Sequence, residues 1–407
     1  MHPPHVIRWQ WWLPAIGITL LLLIFLLLLF LMPAQQWLQP WREPLIPTSV
    51  AGEQGAMATA LPQTTLVLTP QFPLIPQSTP EPYTLRWRMG VGVPEFNPLL
   101  FAWPADRPGW YLNWTVDLNH DAIRQNYRGP LYLEPPPTSG LGMTFAPMVR
   151  VKDGKIVIPL ARVSALAAAH PGHLWLIGNE PDVRWQDNTP AAVYAEAYHD
   201  LYTTIKAADP TAQIAIGGIS QVTPLRLQYL DRILRSYRLR YGEPMPVDVW
   251  NIHTFVLREE ANSWGVDLPP GFDHGATGVL WEVADHDNLR LVENQVRLMR
   301  HWMAARGERQ KPLIISEYGI LMPASYGFPP ERVTAFMRNS FDLFGRLRDP
   351  NLGYSADEDR LVQRWVWFSA RFHLYATGDL FDATGAATPL LQEMATYLRQ
   401  HATPAPR

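Results

Sequence analysis

The sequence predicts an α/β protein: a (β/α)8 (TIM) barrel preceded by one transmembrane helix and a proline-rich linker. Three observations lead there. A 22-residue, largely apolar run spans Trp11–Met32, ten prolines crowd residues 33–84, and eight short apolar runs alternate with amphipathic segments over 85–401. The 407 residues therefore divide into a short head at 1–10, an anchor at 11–33, a stalk at 34–84 and one barrel at 85–401. A chain of that size buries a sizeable core in a single domain.

The anchor comes first. No charge occurs between Arg8 and Arg42, and only Gly17, Thr19 and Pro14 interrupt the apolar character of 11–32. As a helix these residues reach ~33 Å, enough for a ~30 Å hydrocarbon core. Trp9, Trp11 and Trp12 before it, with Trp37 and Trp41 after it, suit the two aromatic belts of a bilayer. A cleaved secretory signal is the alternative, but its apolar region is shorter and needs a small-residue cleavage site. The lipid bilayer is thus an expected partner through residues 11–33. A short head before a long domain places the protein at the cell membrane, single-pass, with the barrel on the extracytoplasmic side. Residues 34–84 carry one basic residue, Arg42, and no sustained periodicity, as expected of a semi-rigid extended stalk.

Composition removes several classes of function. The absence of cysteine excludes disulfides, thiolate nucleophiles and Cys-ligated metal centres. With 34 basic and 37 acidic residues, a net charge of −3, the chain lacks the basic excess of a nucleic-acid binder.

Within the barrel the expected strands are 86–93, 110–116, 144–151, 173–178, 213–218, 247–254, 312–316 and 364–369. The expected helices are 158–169, 191–208, 223–241, 288–306, 330–347 and 389–399. Asn188-Thr189-Pro190 ahead of 191 supplies a capping residue and an early proline. Between 94 and 143 helices give way to Pro/Gly-rich loops such as Leu133–Pro137. Loop 255–287 is long and acidic, holding Glu259, Glu260, Asp273, Glu282, Asp285 and Asp287; loops of that length are usually lids or binding loops.

Functional side chains of such a barrel lie at the carboxyl ends of its strands. The fourth strand ends in Gly178-Asn179-Glu180-Pro181-Asp182 and the seventh in Ser316-Glu317-Tyr318-Gly319. Two hydrophobic runs that each stop at a glutamate can set two carboxylates across one cleft. Glycoside hydrolysis needs that pair: one acid protonates the leaving oxygen while the other attacks or activates water. His253, at the end of the sixth strand, is an active-site candidate, with a satisfied core histidine as the alternative. No second histidine stands at metal-ligand spacing, so neither metal nor cofactor is expected. Asn113 and Trp114 at the end of the second strand are candidate substrate contacts. Trp365 and Trp367 share one face of the eighth strand by two-residue periodicity. Trp367, nearer the strand end, is favoured over Trp365 as the floor of a sugar site. Trp185, Trp264 and Trp281 fall in loops that could wall a subsite, whereas Trp302 belongs to a helix core. Asp285-His286-Asp287 resembles the Asp-x-Asp of nucleotide-sugar transferases, a third reading that would require a metal.

The strand-end motifs at 178–182 and 316–319 resemble clan A of the glycoside hydrolases, which are retaining (β/α)8 enzymes. Trp250-Asn251-Ile252-His253, Trp365-Val366-Trp367 and the closing segment 379–385 are similar to the clan's sixth strand, eighth strand and tail. Leu112-Asn113-Trp114 and Ala146-Pro147-Met148 are similar, within the clan, to the β-1,3-glucanase-like family 128. The resemblance implies Glu180 as acid/base, Asn179 as partner of the sugar 2-hydroxyl and Glu317 as nucleophile. Together with the expected anchor, it implies a membrane-anchored retaining glycoside hydrolase acting on β-linked extracellular polysaccharide or oligosaccharide by double displacement. Two positions depart from the pattern. Phe255 stands where clan members carry a strand-six tyrosine that holds the nucleophile. The second strand lacks their arginine, for which Arg150 is the candidate substitute. These departures favour the alternative of a non-catalytic carbohydrate-binding or wall-scaffold protein on the same barrel.

Overall fold

In a computed structural model of the chain, the described residues are 78–94, 97–116, 141–272, 275–276 and 278–402. The anchor at 11–33, the head before it and the stalk up to 77 lie outside them. No helix among the described residues is long and apolar enough to cross a membrane.

The chain begins with a helical turn, α1 (Leu85–Arg88), where the sequence suggested a strand from 86. Thr84 caps it by accepting the Trp87 N–H at 3.3 Å, and the buried Arg88 guanidinium is held by Asp357 at 2.6 Å. Strands β1 (Met89–Gly92) and β2 (Trp110–Leu112) follow, then β3 (Thr144–Phe145) and β4 (Met148–Val149), which together form one stave. A small antiparallel hairpin, β5 (Val151–Lys152) and β6 (Lys155–Ile156), leads to α2 (Leu160–Ala169). Regular alternation then takes over: β7 (Leu174–Asn179), α3 (Ala191–Ala208), β8 (Gln213–Gly218), α4 (Pro224–Tyr241) and β9 (Trp250–His253). The chain closes with α5 (Leu289–Ala304), β10 (Leu313–Tyr318), α6 (Pro330–Arg346), β11 (Arg364–Trp367) and α7 (Pro389–Gln400).

All staves pair in parallel, in the order β3-β2-β1-β11-β10-β9 on one side and β4-β7-β8 on the other. The two arcs join. Bridges Ala215–Val249 and Ile219–Ile252 connect β8 to β9. Between β3 and β4, Ala146 N–H donates back to Tyr111 O while Pro147 O accepts from Leu176 N–H, each at 2.9 Å. Eight staves thus close into a barrel. Strand alternation splits its apolar residues into two shells. Leu112, Met148, Leu176, Ala215, Ile314 and Val366 fill the interior. Val91, Tyr111, Ile177, Ile216, Ile315 and Trp365 face the helices.

The helices begin and end where local chemistry requires. Thr223 accepts the Arg226 N–H at 3.2 Å ahead of Pro224, and Gly242, at φ +79°, closes α4 with its N–H on Arg238 O; that left-handed φ suits glycine. Helix α3 is different: Pro190 is its cap residue, without a side-chain bond. Thr189 instead donates to Val151 O at 2.7 Å, anchoring the hairpin to the fourth loop.

Candidate active site

The mouth of the barrel is shaped by backbone irregularities at two strand ends. At β7, Gly178 has φ +87° and Glu180 φ +43°, a sparsely populated region for a side chain such as glutamate. The turn is held by Glu180 N–H on Gly218 O at 3.0 Å, and by Tyr194, whose hydroxyl donates to Ile177 O and accepts from Gly217 N–H. At β10 the register against β9 slips by one between Ile315 and Glu317, so Glu317 sits opposite His253. Such an irregularity re-aims a side chain. Ser316 reaches inward to His253 Nε2 at 3.0 Å, and Tyr318 packs outward on Phe344.

These turns bring Glu180, His253 and Glu317 together. One ligating atom of each lies within 4.8 Å of the other two, and all three residues are buried. His253 Nδ1 is 2.9 Å from Glu180 Oε1. Its Nε2 is 3.6 Å from Glu317 Oε1. The bare backbone of Gly218 makes room for the ring, because a Cβ there would come 2.5 Å from His253 Cδ2. By donor type the three side chains are also the grouping among the described residues that could hold a metal ion.

Burial pushes the Glu317 carboxyl up to about 7, and the nearby Glu180 charge adds to this; His253, the Trp114 N–H and Arg150 act against it. Burial disfavours the His253 cation, but Glu317 and Glu180 outweigh it and raise that pKa above the ordinary value.

The remaining predicted residues divide. Trp114 touches the centre: its indole Nε1–H donates to Glu317 Oε1 at 2.6 Å. Asn179 is adjacent. Its amide donates to Gln186 Oε1 at 3.4 Å, while its Oδ1 is buried with no hydrogen-bond partner among the described residues, an acceptor beside Glu180. Arg150 does not clasp Glu317. It bonds Asp187 at 2.5 Å and Gln186 at 3.2 Å, and acts on Glu317 only through its charge. Asp187 also accepts the N–H groups of Val151 and Asn179, so this pair braces the loop that carries Glu180.

Three predicted contacts are buried away from open surface. Asn113 is fully buried, and its Oδ1 accepts the Thr115 N–H within its own loop at 3.2 Å. Trp365 and Trp367 are both fully buried on the helix side of β11. Trp365 lies 5.6 Å from Phe344, and Trp367 lies 6.3 Å from Phe336 with its N–H on Gly378 O. Val366 is the inward residue. Further aromatic side chains gather around Trp114. Phe368 packs edge-on against Trp114 at 5.6 Å, near Phe255 and Phe372. Tyr375, 6.1 Å from Phe368, has its phenol pushed up by burial and by the charges of Glu180 and Glu317. The signal that could have found Phe368 was its place one residue beyond a strand end, where parity breaks. Trp185, Trp264 and Trp281 are half-buried and packed on the core.

The described parts of loop 255–287 are pinned rather than free, while Asp273 lies outside the described residues. Arg226, wholly buried, pairs with Asp182 and lies 2.9 Å from Glu259, and it donates to Asp267 O. Gln221 bonds Leu257 through both its amide groups, and Gln295 joins Val222 to Phe255. His286 accepts the Leu321 N–H at Nε2 with Nδ1 on Val256 O. Asp287 is taken by Arg332 and Asp285 by the Glu282 N–H, so Asp285-His286-Asp287 is structural.

The chain is similar in fold to solved structures of family 128 glucanases. The subgroup II endo-β-1,3-glucanase of Pseudomonas viridiflava matches with a TM-score of 0.51 and 17% identity, over 76% of this chain and 97% of that one. The subgroup II endo-β-1,3-glucanase of Sorangium cellulosum gives 0.48 and 16% over 76% and 98%. The subgroup III curdlan-specific exo-β-1,3-glucanase of Blastomyces gilchristii, in complex with glucose, gives 0.46 and 17% over 76% and 98%. No protein-family profile and no curated protein matches the sequence.

Proposed function

We propose that the protein is a retaining glycoside hydrolase acting on a neutral β-linked glucan outside the cell. The observation that carries this reading is the Glu180–His253–Glu317 cluster, with carboxylate oxygens within 4.8 Å. That spacing supports the retaining geometry of ~5–5.5 Å over the ~6.5–9.5 Å of inverting enzymes, which leave room for a water. Protonated Glu180 gives its proton to the glycosidic oxygen while ionised Glu317 attacks the anomeric carbon. Water then releases the sugar, and Glu180 takes the water's proton. Asn179 Oδ1 is available to a sugar hydroxyl, and Trp114, Phe368 and Tyr375 offer aromatic surface to a pyranose face. A β-1,3 linkage is supported by the activity named for the Pseudomonas enzyme of the same fold.

The anchor at 11–33 completes the proposal: a single-pass membrane protein whose barrel is exported. Retention of the full-length chain in carbonate-washed membranes, with the barrel open to external protease, checks that part.

The enzymatic reading is tested by incubating the protein with laminarin and following products by proton NMR. The β-anomer should appear first, and Glu180→Gln or Glu317→Gln should lose that activity. A non-catalytic glycan-binding protein is the second reading, favoured by the raised Glu317 pKa. It would retain laminarin on an affinity gel while releasing no reducing ends.

A further inference from the structure

The indole of Trp114 is fixed from three sides. Its residue has φ +57° just past β2, its ring lies over the bare backbone of Gly92, and the Phe368 ring meets it edge-on. A Cβ at Gly92 would come 2.6 Å from Trp114 Cη2. The ring therefore has a seat that only glycine leaves open. From that seat the N–H reaches Glu317 Oε1 at 2.6 Å, and His253 Nε2 approaches the same oxygen at 3.6 Å. Oε2 accepts no hydrogen bond among the described residues, and the Glu317 side chain keeps 7% exposure.

We propose that Trp114 is a positioning residue that selects the attacking oxygen of Glu317, holding Oε1 so that Oε2 bonds the sugar. This rests on the glycosidase reading. In the first step the bond from the anomeric carbon to the leaving oxygen breaks, Glu180 supplies that oxygen's proton, and the carbon–Oε2 bond forms. Oε1 becomes the carbonyl oxygen of the ester. In the second step water bonds the anomeric carbon and passes its proton to Glu180, and the carbon–Oε2 electron pair returns to Glu317. An N–H donor binds a carboxylate more strongly than an ester carbonyl. Trp114 therefore favours the second step, where charge returns to Glu317.

The groups facing Glu317 are Glu180, His253, Trp114 and, through charge alone, Arg150, with the Tyr375 phenol close by. Trp114→Phe removes only the donor. Gly92→Ala displaces the indole without altering its chemistry, and serves if the first variant folds poorly. Two measurements decide. On an aryl β-glucoside both variants should lower kcat about ten- to a hundredfold, the usual effect of losing a hydrogen bond to a charged group. KM should fall with it and a burst should appear, because the glycosyl-enzyme accumulates. With no glycan present, the carbon-13 signal of the Glu317 carboxyl should titrate higher in both variants than in the parent. An unmoved titration overturns the hold on Oε1 whatever the kinetics, and a kcat loss without burst or fall in KM overturns the assignment to the second step. If the parent hydrolyses no glycan, the glycosidase reading falls and the attack step with it, while the titration still judges the Trp114–Glu317 contact.

Discussion

His253 Nδ1 lies 2.9 Å from Glu180 Oε1. One ring nitrogen faces the proposed acid and the other the proposed nucleophile, so the imidazole bridges the two carboxylates. Glu180→Gln keeps the shape and loses the proton. Its kcat should drop about 10²–10⁴-fold on laminarin, the usual worth of general acid–base catalysis. The loss should be much smaller on a dinitrophenyl glucoside, whose leaving group needs no proton. Steady-state kinetics on the two substrates check this.

On the proposed reading, the Glu317 carboxyl, raised to about 7 mainly by burial, should set the acid side of the pH profile. Attack needs the ionised form, so kcat/KM should fall as pH drops through about 7, measured on a substrate at concentrations below KM.

The same shift has a stability consequence of opposite sense. A folded-state carboxyl titrating above its unfolded value costs stability once ionised. The penalty is absent below the unfolded value and complete above about 7. Glu317→Gln should therefore melt higher than the parent, with the gap widening as pH rises through that range in differential scanning calorimetry.

Trp367→Phe and Trp365→Phe should leave KM for a glucan unchanged, because both rings lie on the helix side of β11. Trp367→Phe should also cost about 1–3 kcal/mol in urea unfolding, since buried Gly378 O loses its donor. Phe368→Ala, beside Trp114, should raise KM instead.

Arg226→Met should destabilise the protein by about 3–5 kcal/mol, because it strands the carboxylates of Asp182 and Glu259 in the interior. Urea unfolding measures this, and protease cleavage should appear first within loop 255–287.

The fold was largely legible from the sequence. The helix over 191–208 and the strand over 213–218 have the expected bounds, since apolar periodicity and turn residues act locally. The two glutamates and His253 were legible for a related reason: each ends an apolar run, and a barrel sends such ends to one mouth. What escaped depends on direction. Two-residue spacing shows that Trp365 and Trp367 share a face, but both faces of a barrel strand are buried, so the pattern is silent on which one. The register slip before Glu317 and the positive φ at Trp114 and Glu180 arise from packing across several strands, which no single stretch records. Tyr375 reaches the site from a loop with no periodicity.

The two bonds of His286 join the sixth and seventh loops, and burial keeps that ring neutral by lowering its pKa to about 4. Between those two loops the rim is stitched into one piece. An extended glucan has soft glycosidic torsions, so on the proposed reading it is the polymer that bends where it meets that stretch. Bond cleavage would then favour those stretches of chain already curved to the shape of the mouth.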